Sequence, residues 1–331
     1  MTKIKMIRNL AVLLMAGGLV LTGCSKAEDT TAKGKEKVEV GISQLVEFGA
    51  LDDNRAGFIK ALEENGYKDG ENLKIDYQNA QGDMAASQTI AKQFVSQNKD
   101  LIFAIATPSA QGAYNATKKI PIMISAVTDP VAAGIVKSLD KPETNVSGTS
   151  DYLPADKQLE LVKLLVPNAK KIGVIYNTSE INSEVQVNQL KEYAQKNGYE
   201  VVPVGITSTN EVNQAISTLI SKIDVLYVPT DNLVVSSMPI LVQKTLEKKI
   251  PIIASESGSV EVGALATQGI DYYKLGYKTG EMAAKVLKGE DISQMPIAKA
   301  DETNIIINED TLKALSIEKP ANQNITYVKT K

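Results

Sequence analysis

DLIFAIAT (Asp100 to Thr107) returns as DVLYVPTD (Asp224 to Asp231), and KIPIMISA (Lys119 to Ala126) returns as KIPIIASE (Lys249 to Glu256). Each is a short apolar run closed by polar residues, the pattern of a strand buried on both faces of a parallel sheet. A third pair, Asn65-Gly66-Tyr67 and Asn197-Gly198-Tyr199, keeps the same order upstream, each ending a helix before a strand. Three matches in one order imply two lobes of like topology. The strand-helix grammar common to any two parallel α/β lobes would give the same architecture.

Working outward, the first half offers strands at Val38 to Ile42, Leu73 to Gln78, Asp100 to Ala106 and Ile120 to Ser125. Helix-period segments lie between them at Ala50 to Asn65, Met84 to Gln97 and Ser109 to Thr117. After Pro154 the second half offers strands at Lys171 to Tyr176, Glu200 to Val204, Asp224 to Val228, Ile250 to Ala254 and Ala264 to Gln268. Its helices are expected at Ala155 to Leu165, Glu184 to Asn197, Glu211 to Ser221, Leu233 to Lys248 and Tyr272 to Leu287, before a strand at Asn304 to Ile307 and a short helix at Asp310 to Leu315. The fold class is therefore α/β, two similar lobes each with a parallel sheet flanked by helices. Residues 38–148 and about 290–331 are assigned to the N-lobe and 149–289 to the C-lobe, with hinge strands near Gly148 to Pro154 and Gly269 to Tyr272.

The N-terminus carries other information. Lys3, Lys5 and Arg8 precede the apolar run Leu10 to Val20, which has the build of a secretory signal and is too short for a membrane span of roughly 20 residues. Leu21-Thr22-Gly23-Cys24 resembles the lipobox of bacterial lipoproteins, in which the cysteine is acylated. The reading is a signal peptide over 1–23, a lipid anchor on Cys24 and a flexible polar tether over 24–37. A plain signal peptide with an incidental cysteine is the alternative.

Composition removes several chemistries. The chain has no histidine and no tryptophan, and Cys24 is its one cysteine. Ser-His-Asp and Cys-His mechanisms are out, as are zinc sites built on His or Cys, so neither a cofactor nor a metal is expected. Carboxylate-only catalysis stays chemically open, but the reading is of a protein that performs no chemistry. A net charge of −3 with dispersed lysines argues against nucleic acid. Arg55 is the single guanidinium after the signal, so an anionic ligand group must be met by Arg55, lysine, hydroxyls or backbone amides.

LVEFGALDDNRAGFIKALEENGY (Leu45 to Tyr67), YQNAQGD (Tyr77 to Asp83), SAVTDPVAAG (Ser125 to Gly134) and VPTDN (Val228 to Asn232) together resemble lipid-anchored substrate-binding proteins of bacterial ABC importers, with the type I periplasmic binding protein fold. The similarity covers nearly the whole mature chain and lies closest to the subgroup associated with tryptophan and other aromatic amino acids. Ser125 to Pro130 also looks like the loop in branched-chain amino-acid binding proteins where hydroxyls and amides hold the ligand carboxylate. The chain departs from many members of the subgroup at Phe48, where they carry histidine. The resemblance implies a monomer at the extracytoplasmic face of the cell membrane that captures tryptophan, phenylalanine or tyrosine and delivers it to an ABC permease. A binder of a sugar or nucleoside, and a sensory lipoprotein, are the competing readings; the lack of tryptophan weighs against a sugar site.

In open parallel sheets ligands bind beyond the carboxyl ends of the strands. Those positions hold Ser43, Gln44, Glu47, Thr107, Ser109, Ala110, Ala126, Thr128 and Asp129 in the first lobe, and Tyr176, Asn177, Thr230, Asp231, Asn232, Ser255 and Glu256 in the second. Hydroxyls and amides of the first lobe are expected to hold a carboxylate. Asp231 is the first choice for an ammonium, with Glu256 and Glu47 in reserve; capping of the helix that follows is its alternative role. Tyr152 and Tyr176 are candidates to wall an aromatic side chain, or are simply core or surface.

Overall fold

The computed structural model describes residues 37–300, 302–321 and 324–331. The signal run, Cys24 and the tether up to residue 36 lie outside them. The first half runs β1 (Val38–Gln44), α1 (Gly49–Glu64), β2 (Leu73–Asn79), α2 (Met84–Ser96), β3 (Leu101–Ile105), α3 (Thr107–Ala116), β4 (Ile122–Ser125) and β5 (Val146–Ser150). The second half continues with α4 (Ala155–Leu165), β6 (Lys171–Asn177), α5 (Ile181–Lys196), β7 (Glu200–Ile206), α6 (Val212–Leu219), β8 (Val225–Val228), α7 (Asn232–Ser236), α8 (Met238–Glu247), β9 (Ile252–Glu256), α9 (Ser257–Val262) and β10 (Ala266–Ile270). The chain ends with α10 (Tyr272–Leu287), β11 (Ala298–Lys299), β12 (Asn304–Asn308), α11 (Glu309–Leu315) and β13 (Ile325–Val328).

Two sheets result, ordered β11-β5-β4-β3-β1-β2 and β13-β12-β10-β9-β8-β6-β7. Every neighbouring pair is parallel except β10 with β12. The repeated runs DLIFAIAT and DVLYVPTD supply β3 and β8, and all their strand residues are buried. In the first lobe Phe103 of β3 stacks on Phe58 of α1 with ring centroids 3.8 Å apart. Burying each such ring contributes about 1.5–3 kcal/mol.

The division between lobes differs from the expected one after Ile270. Residues 272–299 belong to the first lobe because α10 lies against α1 with its backbone in contact. A Cβ on Gly276 would stand 1.9 Å from the Asn54 carbonyl oxygen, and one on Gly57 would stand 2.1 Å from that of Tyr273. Only glycine permits that approach. Conversely β12 and β13, assigned by sequence to the N-lobe, extend the second sheet, because β12 pairs antiparallel with β10 and parallel with β13. The chain therefore passes between lobes three times, at 150–155, 270–272 and 299–304. The expected helix from Leu233 to Lys248 is interrupted at Ser237, where Pro239 lacks the amide needed to continue a ladder.

Candidate functional site

The carboxyl ends of both sheets face one cleft. At its centre is a small cavity of about 20 Å³, room for roughly one water. Phe48, Leu51, Ala126, Asp151 and Tyr272 line it from the first lobe and the crossings, and Thr230, Asn232, Val235 and Glu256 line it from the second. Thr128 and Thr230 share a hydrogen bond across the cleft, 3.0 Å between hydroxyl oxygens. Gln186 adds a bond from its amide nitrogen to the Thr230 hydroxyl and accepts from the Thr230 amide at 2.9 Å.

Two acids face the cavity with an oxygen uncommitted. Asp151 is buried after β5; the Tyr272 hydroxyl donates to its Oδ2 at 2.8 Å, while Oδ1 makes no hydrogen bond. Burial raises its pKa, against the hydrogen bonds of Tyr272 and Thr128. Glu256 is the N-cap of α9: Oε1 accepts from the Ser259 amide at 2.6 Å and from the Ser259 hydroxyl, and Oε2 has no partner. Burial raises this pKa too. A buried carboxylate oxygen without a donor is costly. Two of them on one cavity form a site that favours a cation.

Asp231 is built differently. Its Oδ1 accepts from the Val234 amide at 2.9 Å, and Oδ2 from the Asn177 amide at 2.5 Å and the Ser183 hydroxyl at 2.7 Å. Burial, then the neighbouring Glu180 carboxylate, push its pKa up to about 7. Glu180 in turn accepts from the side-chain amides of Asn177, Asn182 and Asn232. Asp231 is thus a bracket joining β6, α5 and α7, and the capping role expected as its alternative is the one its contacts serve.

The other expected residues divide. Ala126 and Asn232 line the cavity and Thr128 bonds to Thr230 beside it. Ser43, Thr107, Ser109 and Ala110 are buried at the ends of β1 and β3 but do not line it. Gln44 is tied to Val46, Asp52 and Arg55. Arg55 also pairs with Asp52 at 3.0 Å and covers the Tyr77 ring at 4.2 Å, so the one guanidinium serves this rim network. Glu47 accepts from the Tyr77 hydroxyl at 2.8 Å. Asn177 serves Asp231 and Glu180; Tyr176 packs with the second core and the half-buried Tyr152 lies under the Lys299 ammonium, 5.7 Å away. Thr230, expected at the end of its strand, lines the cavity, whereas Asp151, Val235, Leu51 and Tyr272 were not picked out as site residues by sequence. Ala106 and Ala126, which end β3 and β4, hold φ of 78° and 56°, a strained left-handed geometry of the kind that gathers at functional sites.

Two larger cavities adjoin the central one. The first, about 430 Å³, is mainly apolar and shares Phe48, Val235 and Glu256 with it. The second, about 450 Å³, is lined by polar and apolar residues alike, from the 81–85, 177–180 and 207–209 segments among others, and shares Asn232.

The description ABC transporter substrate binding protein fits residues 39–327. A relative named tyrosine-binding protein, from Clostridioides difficile strain R20291, is 61% identical over all of this chain and 98% of its own. The ligand-free, open structure of a substrate-binding protein with adhesive properties, from Clostridium difficile, is 67% identical, covers 89% of this chain and 100% of its own, and superposes with a TM-score of 0.70. A Streptococcus pneumoniae domain in complex with L-Trp is 41% identical, covers 86% and 96% of the two chains, and superposes with 0.84. Of these two structures, the less identical superposes the better.

Proposed function

This chain belongs to the ABC transporter substrate-binding proteins, and from that membership we propose that it captures an aromatic amino acid between its lobes, extracytoplasmically, for delivery to a membrane permease. The observation that carries the reading is the pair of donor-less carboxylate oxygens, Asp151 Oδ1 and Glu256 Oε2, that meet at one cavity from opposite lobes. An α-ammonium between them donates to both oxygens, and its single charge offsets one of the two acids. The ligand carboxylate is met outside the central cavity by the first turn of α1, whose N-cap Phe48 makes no side-chain cap bond. The names of the relatives favour tyrosine or tryptophan as the ligand. A sugar or nucleoside has no ammonium to offer these acids.

Closure follows from the same geometry. A ligand that bonds to both lobes binds the closed state more tightly than the open one, and shifts the population by that difference. The permease reads the closed form. With the anchor proposed at Cys24, the protein works as a monomer held at the outer face of the membrane.

Calorimetric titration of residues 25–331 with tyrosine, tryptophan, phenylalanine, glucose and adenosine tests the reading. Micromolar binding, about 8 kcal/mol, is expected for an aromatic amino acid and none for the sugar or nucleoside; the reverse pattern would overturn the proposal.

A further inference from the structure

We propose that the ligand's ring lies outside the central cavity, in the apolar chamber beyond Phe48, so that head group and side chain occupy separate rooms joined at Glu256. This rests on the amino-acid reading above. The central cavity, at about 20 Å³, takes one small polar group and no ring. Three residues form its common wall with the apolar chamber: Phe48, Val235 and Glu256. An ammonium on Glu256 Oε2 places the α-carbon at that wall, so the next bond carries the side chain through it. Beyond, Met238, Pro239 and Val262 supply apolar surface against Phe48 and Val235. The other chamber meets the central cavity at Asn232 alone, whose amide is held by Glu180. A ring gains less there, because hydrogen-bonding side chains such as Gln81, Asp83 and Glu180 share the lining.

Charged residues line the apolar chamber as well: Glu47, Glu261 and Lys331, with the Lys331 ammonium 2.6 Å from Glu261 and three-quarters exposed. A para substituent on the ring therefore emerges among solvated groups and is neither demanded nor refused. Selection acts on the flat ring, and tyrosine, phenylalanine and O-methyltyrosine bind alike. A site built to hydrogen-bond a buried hydroxyl would separate them by about 10⁴-fold or more.

Two exposed positions allow each chamber to be filled without touching the core: Val262→Trp for the apolar one and Ser179→Trp for the other. With melting curves confirming that both fold, Val262→Trp is expected to weaken tyrosine binding about tenfold or more, the scale of a lost apolar fit, and Ser179→Trp to leave it within about threefold. O-methyltyrosine should bind wild type within about tenfold of tyrosine. The inference is overturned if wild type binds tyrosine and Ser179→Trp is the damaging change, if the two substitutions act equally, or if O-methyltyrosine is rejected. Wild type that binds no aromatic amino acid defeats the parent reading instead, so the two failures are distinct.

Discussion

Asp231 and Asp151 are both fully buried acids in the loops where the two lobes meet, yet they are provisioned in opposite ways. Asp231 accepts from three donors that tie together β6, α5 and α7. Asp151 has the Tyr272 hydroxyl on Oδ2, with the Thr128 hydroxyl beside it, and no hydrogen bond on Oδ1. The first arrangement stabilises a fold; the second carries an electrostatic debt that a cationic ligand discharges. The lesson is that an acid's burial does not mark it as a ligand group. Its unused hydrogen-bonding capacity does.

Substitution should separate the two most sharply in the unliganded protein. Asp231→Ala orphans the Asn177 and Val234 amides and the Ser183 hydroxyl at about 1–3 kcal/mol each, so urea unfolding should show a loss of about 3 kcal/mol or more. Asp151→Ala orphans the Tyr272 hydroxyl alone and at the same time removes a buried acid with an unsatisfied oxygen, so the net cost in the same measurement should be less than about 1 kcal/mol. Equal losses would erase the distinction.

Affinity should invert the order. Asp151→Asn keeps the shape and removes the charge, and calorimetry should show binding weaker by about 2–3 kcal/mol, the range for truncating one side of a buried charged pair. Glu256→Gln is expected between the two extremes, with a smaller affinity loss and about 1 kcal/mol of folding stability, since Oε1 also caps α9. Undiminished tyrosine binding by Asp151→Asn would remove the cationic-site reading.

The smallest effect is on pH. Asp151, Glu256 and Asp231 all have pKa values raised chiefly by burial. Below the ordinary carboxylate range folded and unfolded chains are both protonated and no penalty exists. As pH rises the unfolded chain releases these protons first, so unliganded stability falls until the raised folded values are passed, near pH 7 for Asp231. Ligand binding requires ionised Asp151 and Glu256 and should tighten over the same rise. Melting and titration between pH 5 and pH 8 measure both slopes, and Asp151→Asn should flatten the second.

Much of the architecture could be read from the chain because its signals are local. The ends of α4 and α10 match the expected Ala155 to Leu165 and Tyr272 to Leu287 to the residue, since Pro154 and Asp271 mark their starts and apolar periodicity runs to their ends. The loops of the cleft were located by the same means. The roles within it were not, for those depend on partners distant in sequence: Ser183 and Asn177 reach Asp231 across about fifty residues, and Tyr272 reaches Asp151 across 121. Asp151 sits in Ser150-Asp151-Tyr152, which matches no motif. The lobe assignment of β12 and β13 failed for a related reason: a strand's apolar pattern says that it pairs, not with which edge.

The threefold exchange of chain between the lobes bears on how such a molecule can be made. A ribosome that has released 270 residues has delivered an unfinished first lobe, with the glycine-bearing face of α1 still waiting for α10 and the β5 edge waiting for β11. The second lobe completes later still, once β13 is out. Neither half can be excised as one uninterrupted fragment, so tolerance of nicking or permutation should be sought within a lobe, and both lobes are completed only after α10 has emerged.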